Sequence, residues 1–370
     1  MSRCCWFILF LWVFSEVLVA QTTDSRSRVP EVVQKAMAYM QENNYEQALK
    51  QWLLAQEEEP NNWLYTYQVA RCYYEQKDYK TAIKTLTKQA PTDKAGQMGS
   101  YYRLLAACQE ARSDTDNAIA TLQEGIKLVP QEGSLYADLG GLFFQKGYND
   151  QAVAIWEEGI DQAPMHSTNY YWLSKMYAHS SEPFWSLFYG ELFINMEPNT
   201  QRSMEISRLL GETYKQVLHH KNTALLSATG YNDWLLNDET TITSPCTALE
   251  NLAQMVVEQS SLDFDSLKNI VIFREVLTKK ALTTPLLSNN ALFLWQKSIQ
   301  QAGHWDAYNY WLLRKSDPVV FDQWLQFHRY DLGAFLNWIE VNHLRLSVNN
   351  KLSRKSFYAV LSPAATISKK

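Results

Sequence analysis

Cysteine is sparse in this chain of 370 residues: five in all, with Cys4 and Cys5 in the first twenty positions and Cys72, Cys108 and Cys246 beyond them. Three is an odd number, so at least one thiol stays unpaired even where oxidation is allowed. Charge of one sign is also lacking. The formal net charge of -5 is mild for this length and argues against a general nucleic-acid binder. After the first twenty residues no segment approaches 18 consecutive apolar residues, which excludes a membrane-spanning helix of ordinary length there.

The signatures of common chemistries are missing too. There is no G-x-G-x-x-G, G-x-x-x-x-G-K, H-E-x-x-H, G-x-S-x-G or C-x-x-C. His219 and His220 are adjacent, and neighbours on a helix point about 100° apart. No carboxylate or cysteine stands at ligand spacing from them, so no metal site is expected. Asp263 and Asp265 precede an apolar helical run, the usual place for an N-cap. The expectation is a protein that is not an enzyme and carries no cofactor.

What is present begins at the amino terminus. Arg3, the apolar run Trp6 to Phe14 and the small residue Ala20 read as an export signal over residues 1–20, cleaved before Gln21, with an uncleaved anchor as the alternative. A polar linker, 21–28, follows. Charge then divides unevenly. Residues 21–200 hold 15 basic and 23 acidic side chains, and residues 201–370 hold 18 and 15.

The most informative stretch is Ser134 to Pro164. Tyr136, Leu139, Gly140 and Phe143 recur at helical spacing, Gln145-Lys146-Gly147 makes a polar turn, and Ala152, Trp156 and Gly159 lead to Pro164. Small residues at Gly140 and Ala152 let two antiparallel helices approach, with Phe143 and Trp156 filling the space beside them. The same roles fall earlier on Ala36, Tyr39, Tyr45, Ala48 and Trp52, and 34 residues later on Ala70, Tyr73, Tyr79, Ala82 and Leu86. A linker, Ala90 to Gln97, carries two extra residues. A third unit has Leu105, Ala106, Ala118, Leu122, Gly125 and Pro130; a fifth has Tyr170, Leu173, Tyr177 and the odd turn Ser180 to Pro183.

This pattern resembles the tetratricopeptide repeat over residues 29–199, about five repeats. The resemblance implies an all-α solenoid of stacked helix pairs with a concave inner face, and leaves function open. Cys72 and Cys108 occupy equivalent places in neighbouring repeats, too far apart for a disulfide, and are expected as buried free thiols.

Beyond the array, residues 200–220 read as a capping helix and 221–247 as a long loop. Residues 248–342 read as a degenerate helical region rich in tryptophan, and 343–370 as a basic tail. Helical patterns run over 248–259, 264–278, 291–301, 307–313, 319–328 and 334–344. Gly303-His304-Trp305 resembles a repeat turn. The tail holds six basic residues and no acid. It reads as a solvated extension, or as an arm for an acidic partner or lipid headgroups.

Two binding surfaces are suggested. Family geometry turns one stripe of each first helix inward. That stripe holds Tyr67, Arg71 and Tyr74 in the second repeat, Arg103 in the third, and Tyr171 and Lys175 in the fifth. Tyrosines among basic residues suit an extended peptide carrying acidic groups. Alternatively, Trp295, Trp305, Trp311, Trp324 and Trp338 form a platform for a glycan or cell wall. By analogy with exported repeat proteins of Gram-negative bacteria, the expected role is an adaptor or scaffold for a protein or peptide partner in the periplasm or envelope.

Overall fold

The computed structural model describes residues 31–91, 96–180, 182–219, 266–284 and 287–354, and every regular element among them is an α-helix. The export signal, the linker, Cys246, the 221–247 loop, the 248–259 helix, the Asp263 and Asp265 cap and the end of the tail lie outside the described residues. The chain forms two compact units, Met1–Ala90 and Pro91–Lys370.

In the first unit, α1 (Glu31–Gln41) pairs with α2 (Tyr45–Glu58), and α3 (Trp63–Glu75) pairs with α4 (Tyr79–Lys88). The helices start where polar side chains satisfy free amides: Asn44 accepts from the Gln47 N–H, Asn62 from Leu64 and Asp78 from Thr81. Ala36, Ala48, Ala70 and Ala82 are all fully buried, as helix pairs with small residues at the crossing require. Trp52, Val69 and Cys72 pack in one cluster with Ala36 and Ala48.

The second unit continues with α5 (Gln97–Ala111), α6 (Thr115–Leu128), α7 (Gly133–Gln145), α8 (Asn149–Gln162), α9 (Ser167–Ala178) and α10 (Pro183–Met196). Then come α11 (Gln201–His219), α12 (Leu267–Thr283), α13 (Ala291–Gln301), α14 (Trp305–Leu312) and α15 (Pro318–Val341). Gly140 leaves room for an indole: a Cβ there would lie 2.2 Å from Trp156 Nε1, which donates to the Ala137 carbonyl. Trp156 therefore fills the gap that Gly140 leaves, rather than only flanking it, and Ala152 is fully buried one turn away.

The turns carry the repeat in the backbone itself. Asn43, Lys77, Ser113 and Gly147 all have positive φ. After each one, the next amide bonds the carbonyl five residues back: Asn44 to Tyr39, Asp78 to Tyr73, Asp114 to Gln109 and Tyr148 to Phe143. This is the bond that closes a helix through a left-handed residue. The spacings are 34, 36 and 34, and the two extra residues fall in the 90–97 linker.

The same turn returns once more at Gly303, where φ is 77° and His304 bonds Ile299. The pair α13 and α14 is thus built like a repeat, with buried Tyr308 at the place taken by Ala48, Ala82, Ala118 and Ala152.

Two expectations are sharpened by the backbone. The patterns over 319–328 and 334–344 correspond to two helical stretches that meet at a kink at His328 (φ −120°, ψ 25°) and together make up α15, which ends at Val341. The described part of the tail is anchored rather than wholly solvated: His343, Arg345 and residues 347–350 are exposed, while Leu344, Leu346 and Leu352 are buried against the second unit. Their alternation was overshadowed by the basic residues between them.

The helix that joins repeats to the carboxy-terminal region is α10, buried without interruption from Pro183 to Ile194. A helix apolar all round belongs in a core. It carries one acid into that core. Glu191 accepts two hydrogen bonds from the Arg274 guanidinium at 2.8 Å each, one from Gln296 at 2.8 Å and one from the Tyr308 hydroxyl at 2.7 Å. Arg274 also donates to Tyr214 and Asn309. Burial opposes the charge on Arg274, and Glu191 with Tyr214 outweighs it, so its affinity for the proton rises. The network ties α10, α11, α12, α13 and α14 together.

Candidate protein-interaction surface

In the first unit, α3 places Tyr67, Arg71 and Tyr74 at i, i+4 and i+7, along one side of the helix. Tyr67 is buried, its ring stacked on Trp63 at 5.1 Å, so it supports the stripe more than it covers it. Arg71 and Tyr74 are half-buried. Arg71 donates to Gln68, and the Tyr74 ring lies 5.4 Å from Tyr79. Burial lowers the proton affinity of Arg71, an effect opposed by Tyr67 and Glu75. The outcome is a stiff aromatic and cationic ridge on one helix.

The second unit holds the other three residues. Arg103 Nε donates to Asp138 Oδ2 at 2.7 Å, across from α5 to α7. Lys175 donates to Glu205 at 2.6 Å, from α9 to α11, and to the Tyr171 hydroxyl at 3.2 Å. Tyr171 in turn donates to the other oxygen of Glu205 at 2.8 Å. The Lys175 ammonium also lies over the Tyr171 and Trp172 rings at 5.0 and 5.4 Å. Arg202, bound to Glu197, covers Tyr171 and Phe193.

Tyr171, Lys175 and Glu205 are therefore one cluster, while Arg103 belongs to a separate pair with Asp138. In the second unit, Arg103 and Lys175 each brace a first helix to the following one. The sequence reading missed Asp138 and Glu205, because it compared equivalent positions and stopped there. Asp138 stands one residue past Ala137, the equivalent of Arg103. These carboxylates are partly exposed and offer acceptors beside the cations.

The tryptophans are mostly structural. Trp295, Trp305 and Trp311 are buried. Trp324 is half-buried, with Tyr310 and His328 both parallel to its ring at 4.5 and 4.8 Å. Trp338, also half-buried, packs on Trp295 and His304. A cleft of about 410 Å³ lies beside Trp305 and Tyr310, lined also by Lys268, Glu275 and Asp306. Cys72 and Cys108 are buried free thiols, and burial pushes each up to about 12. Among the described residues no group of three or more His, Cys, Asp or Glu side chains is placed to hold a metal ion, and no helix is long and apolar enough to cross a membrane.

A family model described as tetratricopeptide repeat matches residues 33–97, from α1 into the first residue of α5. The helix pairs within this segment are similar to tetratricopeptide repeats. The chain is also similar to the crystal structure of MamA, at 19% identity and a TM-score of 0.35, covering 44% of this chain and 94% of that one. A second similarity is to YrrB, described as a TPR protein with an unusual peptide-binding site. It has 18% identity and a TM-score of 0.33, covering 47% of this chain and 89% of that one. No curated protein matches the chain. The repeat family is one of protein-interaction scaffolds, and no catalytic family is indicated.

Proposed function

We propose that this repeat protein is a scaffold that holds an extended peptide segment of a partner along the first-helix stripes, and that it does so in the cell envelope after export. One observation carries the reading: Tyr67, Arg71 and Tyr74 lie inside the segment matched as tetratricopeptide repeat and form an ordered ridge on α3. Tyrosine gives contact area at low rotamer cost, and arginine takes carboxylates in a two-point grip. Arg103 and Lys175 offer similar chemistry on the second unit, taken by itself. Acidic groups of a ligand there compete with Asp138 and Glu205, so binding exchanges one ion-pair partner for another. Such exchange favours specificity over raw affinity.

The export half of the proposal rests on residues 1–20 and is tested by mass spectrometry of the mature protein. Gln21 at the amino terminus supports it, and an intact Met1 in envelope fractions opposes it. The binding half is tested by photo-crosslinking. A crosslinker placed at Tyr74 should trap a discrete partner, whereas one at Leu54, exposed on α2, should not. Equal trapping at both positions would contradict a defined surface on α3.

A further inference from the structure

The carboxy-terminal stretch doubles back on the second unit. After α15, residues 342–353 are not helical and pass over α8, the α8–α9 turn and the start of α10. Three leucines, Leu344, Leu346 and Leu352, are buried beneath this strap. A turn closed by Asn350, which accepts from the Ser347 amide at 2.6 Å, separates the first two from the third. The Leu346 amide points at Met165 Sδ.

Beyond the turn the contacts are polar and specific. Lys351 donates to the Asp161 carbonyl at 3.0 Å and lies 3.2 Å from its carboxylate. Ser353 donates to the same carboxylate at 2.8 Å. The Arg354 amide donates to the Tyr189 hydroxyl at 2.9 Å, and its guanidinium spans Glu182 at 2.7 and 3.0 Å. Glu157 lies behind, buried, and accepts from Tyr177 at 2.6 Å.

The receiving surface is strongly one-sided. Asp161 and Glu157 come from α8 and Glu182 from the cap of α10, and neither α8 nor α10 contains a lysine or arginine. The nearest cation on α9, Lys175, is committed to Glu205. Lys351 and Arg354 therefore bring the positive charge that balances this notch, and both come from the strap. Buried carboxylates without a counter-charge are costly, so the notch is complementary to a basic, extended segment.

We propose that the notch formed by Glu157, Asp161, Glu182 and the Tyr189 hydroxyl is a second peptide-docking site, separate from the first-helix stripes. Its ligand is an extended partner segment bearing two apolar residues two apart and then a lysine and an arginine three apart. Residues 344–354 are a removable plug of that same chemistry, held in place until a partner segment competes.

The test uses the full chain and a fluorescent peptide with the sequence of residues 343–354, followed by anisotropy. The intact chain should bind it weakly, because its own strap occupies the notch. The Leu352→Ala/Arg354→Ala chain should bind it at least about tenfold more tightly, since the competent fraction rises. Adding Asp161→Asn and Glu182→Gln should abolish that gain. A Leu352→Ala/Arg354→Ala chain with an unchanged circular dichroism spectrum and no peptide binding would overturn the proposal. Should that variant fail to fold, hydrogen exchange in the unaltered chain decides. Amides of 344–354 that exchange roughly a hundredfold faster than those of α10 support a removable plug. Exchange as slow as that of α10 would make the strap a fixed part of the core and end the proposal.

Discussion

Lys77 and Ser113 sit in the left-handed backbone region, where an L side chain crowds the following carbonyl. The fourth repeat has Gly147 at the same place. Lys77→Gly should therefore raise stability by about 0.5–1 kcal/mol, the relief of strain exceeding the extra chain entropy of glycine. Urea unfolding of the single variant reads this directly. The converse holds at Gly140, where Gly140→Leu drives a side chain into Trp156 and should cost about 1–3 kcal/mol. His166 makes a pH prediction. Burial, followed by Arg103 and Arg202, holds its imidazole down to about 3 from an ordinary 6.5. The unfolded chain thus binds the proton first. The stability contributed by neutral His166 is complete above pH 6.5 and is lost as pH falls from there toward about 3. His166→Gln should flatten the fall in melting temperature across that window. An unchanged slope would show that other groups govern the acid response.

At the scale of elements, the first-unit pairs and α5 to α8 were legible because their small and aromatic residues repeat at one offset and their turns tolerate a left-handed residue. The matches at Ala36, Ala48, Ala70 and Ala82 are of this kind. Residues beyond α9 were harder to read, because α10 is apolar on every side and has no stripe to give a period. The Glu191–Arg274 network was invisible in sequence: its members lie on five helices, and only folding brings them together. Its removal has a defined signature. Arg274→Met leaves Glu191 buried without a counter-charge and should destabilise the second unit by about 3–5 kcal/mol. Arg274→Met with Glu191→Leu should recover a large part of that loss, which a double-mutant cycle by chemical denaturation measures. A double variant as unstable as the single one would assign the loss to packing rather than charge.

For the whole molecule, the two units present different chemistries. The first offers a ridge of tyrosine and arginine on α3, and the second offers braced cations whose acidic partners the linear pattern did not reveal. The site residues were legible as positions on helices. Their pairing was not, because ion pairs between successive first helices depend on neighbours 30 to 35 residues away. The central claim is that the first-helix stripes hold a partner, and one titration tests it most directly. The partner trapped at Tyr74 is titrated by calorimetry into the unaltered chain and into Arg71→Ala/Arg103→Ala, with circular dichroism as the folding control. Interface arginines commonly contribute more than about 1 kcal/mol each. The account predicts that affinity falls by at least about fivefold while the helical spectrum is unchanged. Equal affinity in a fully folded double variant would contradict it.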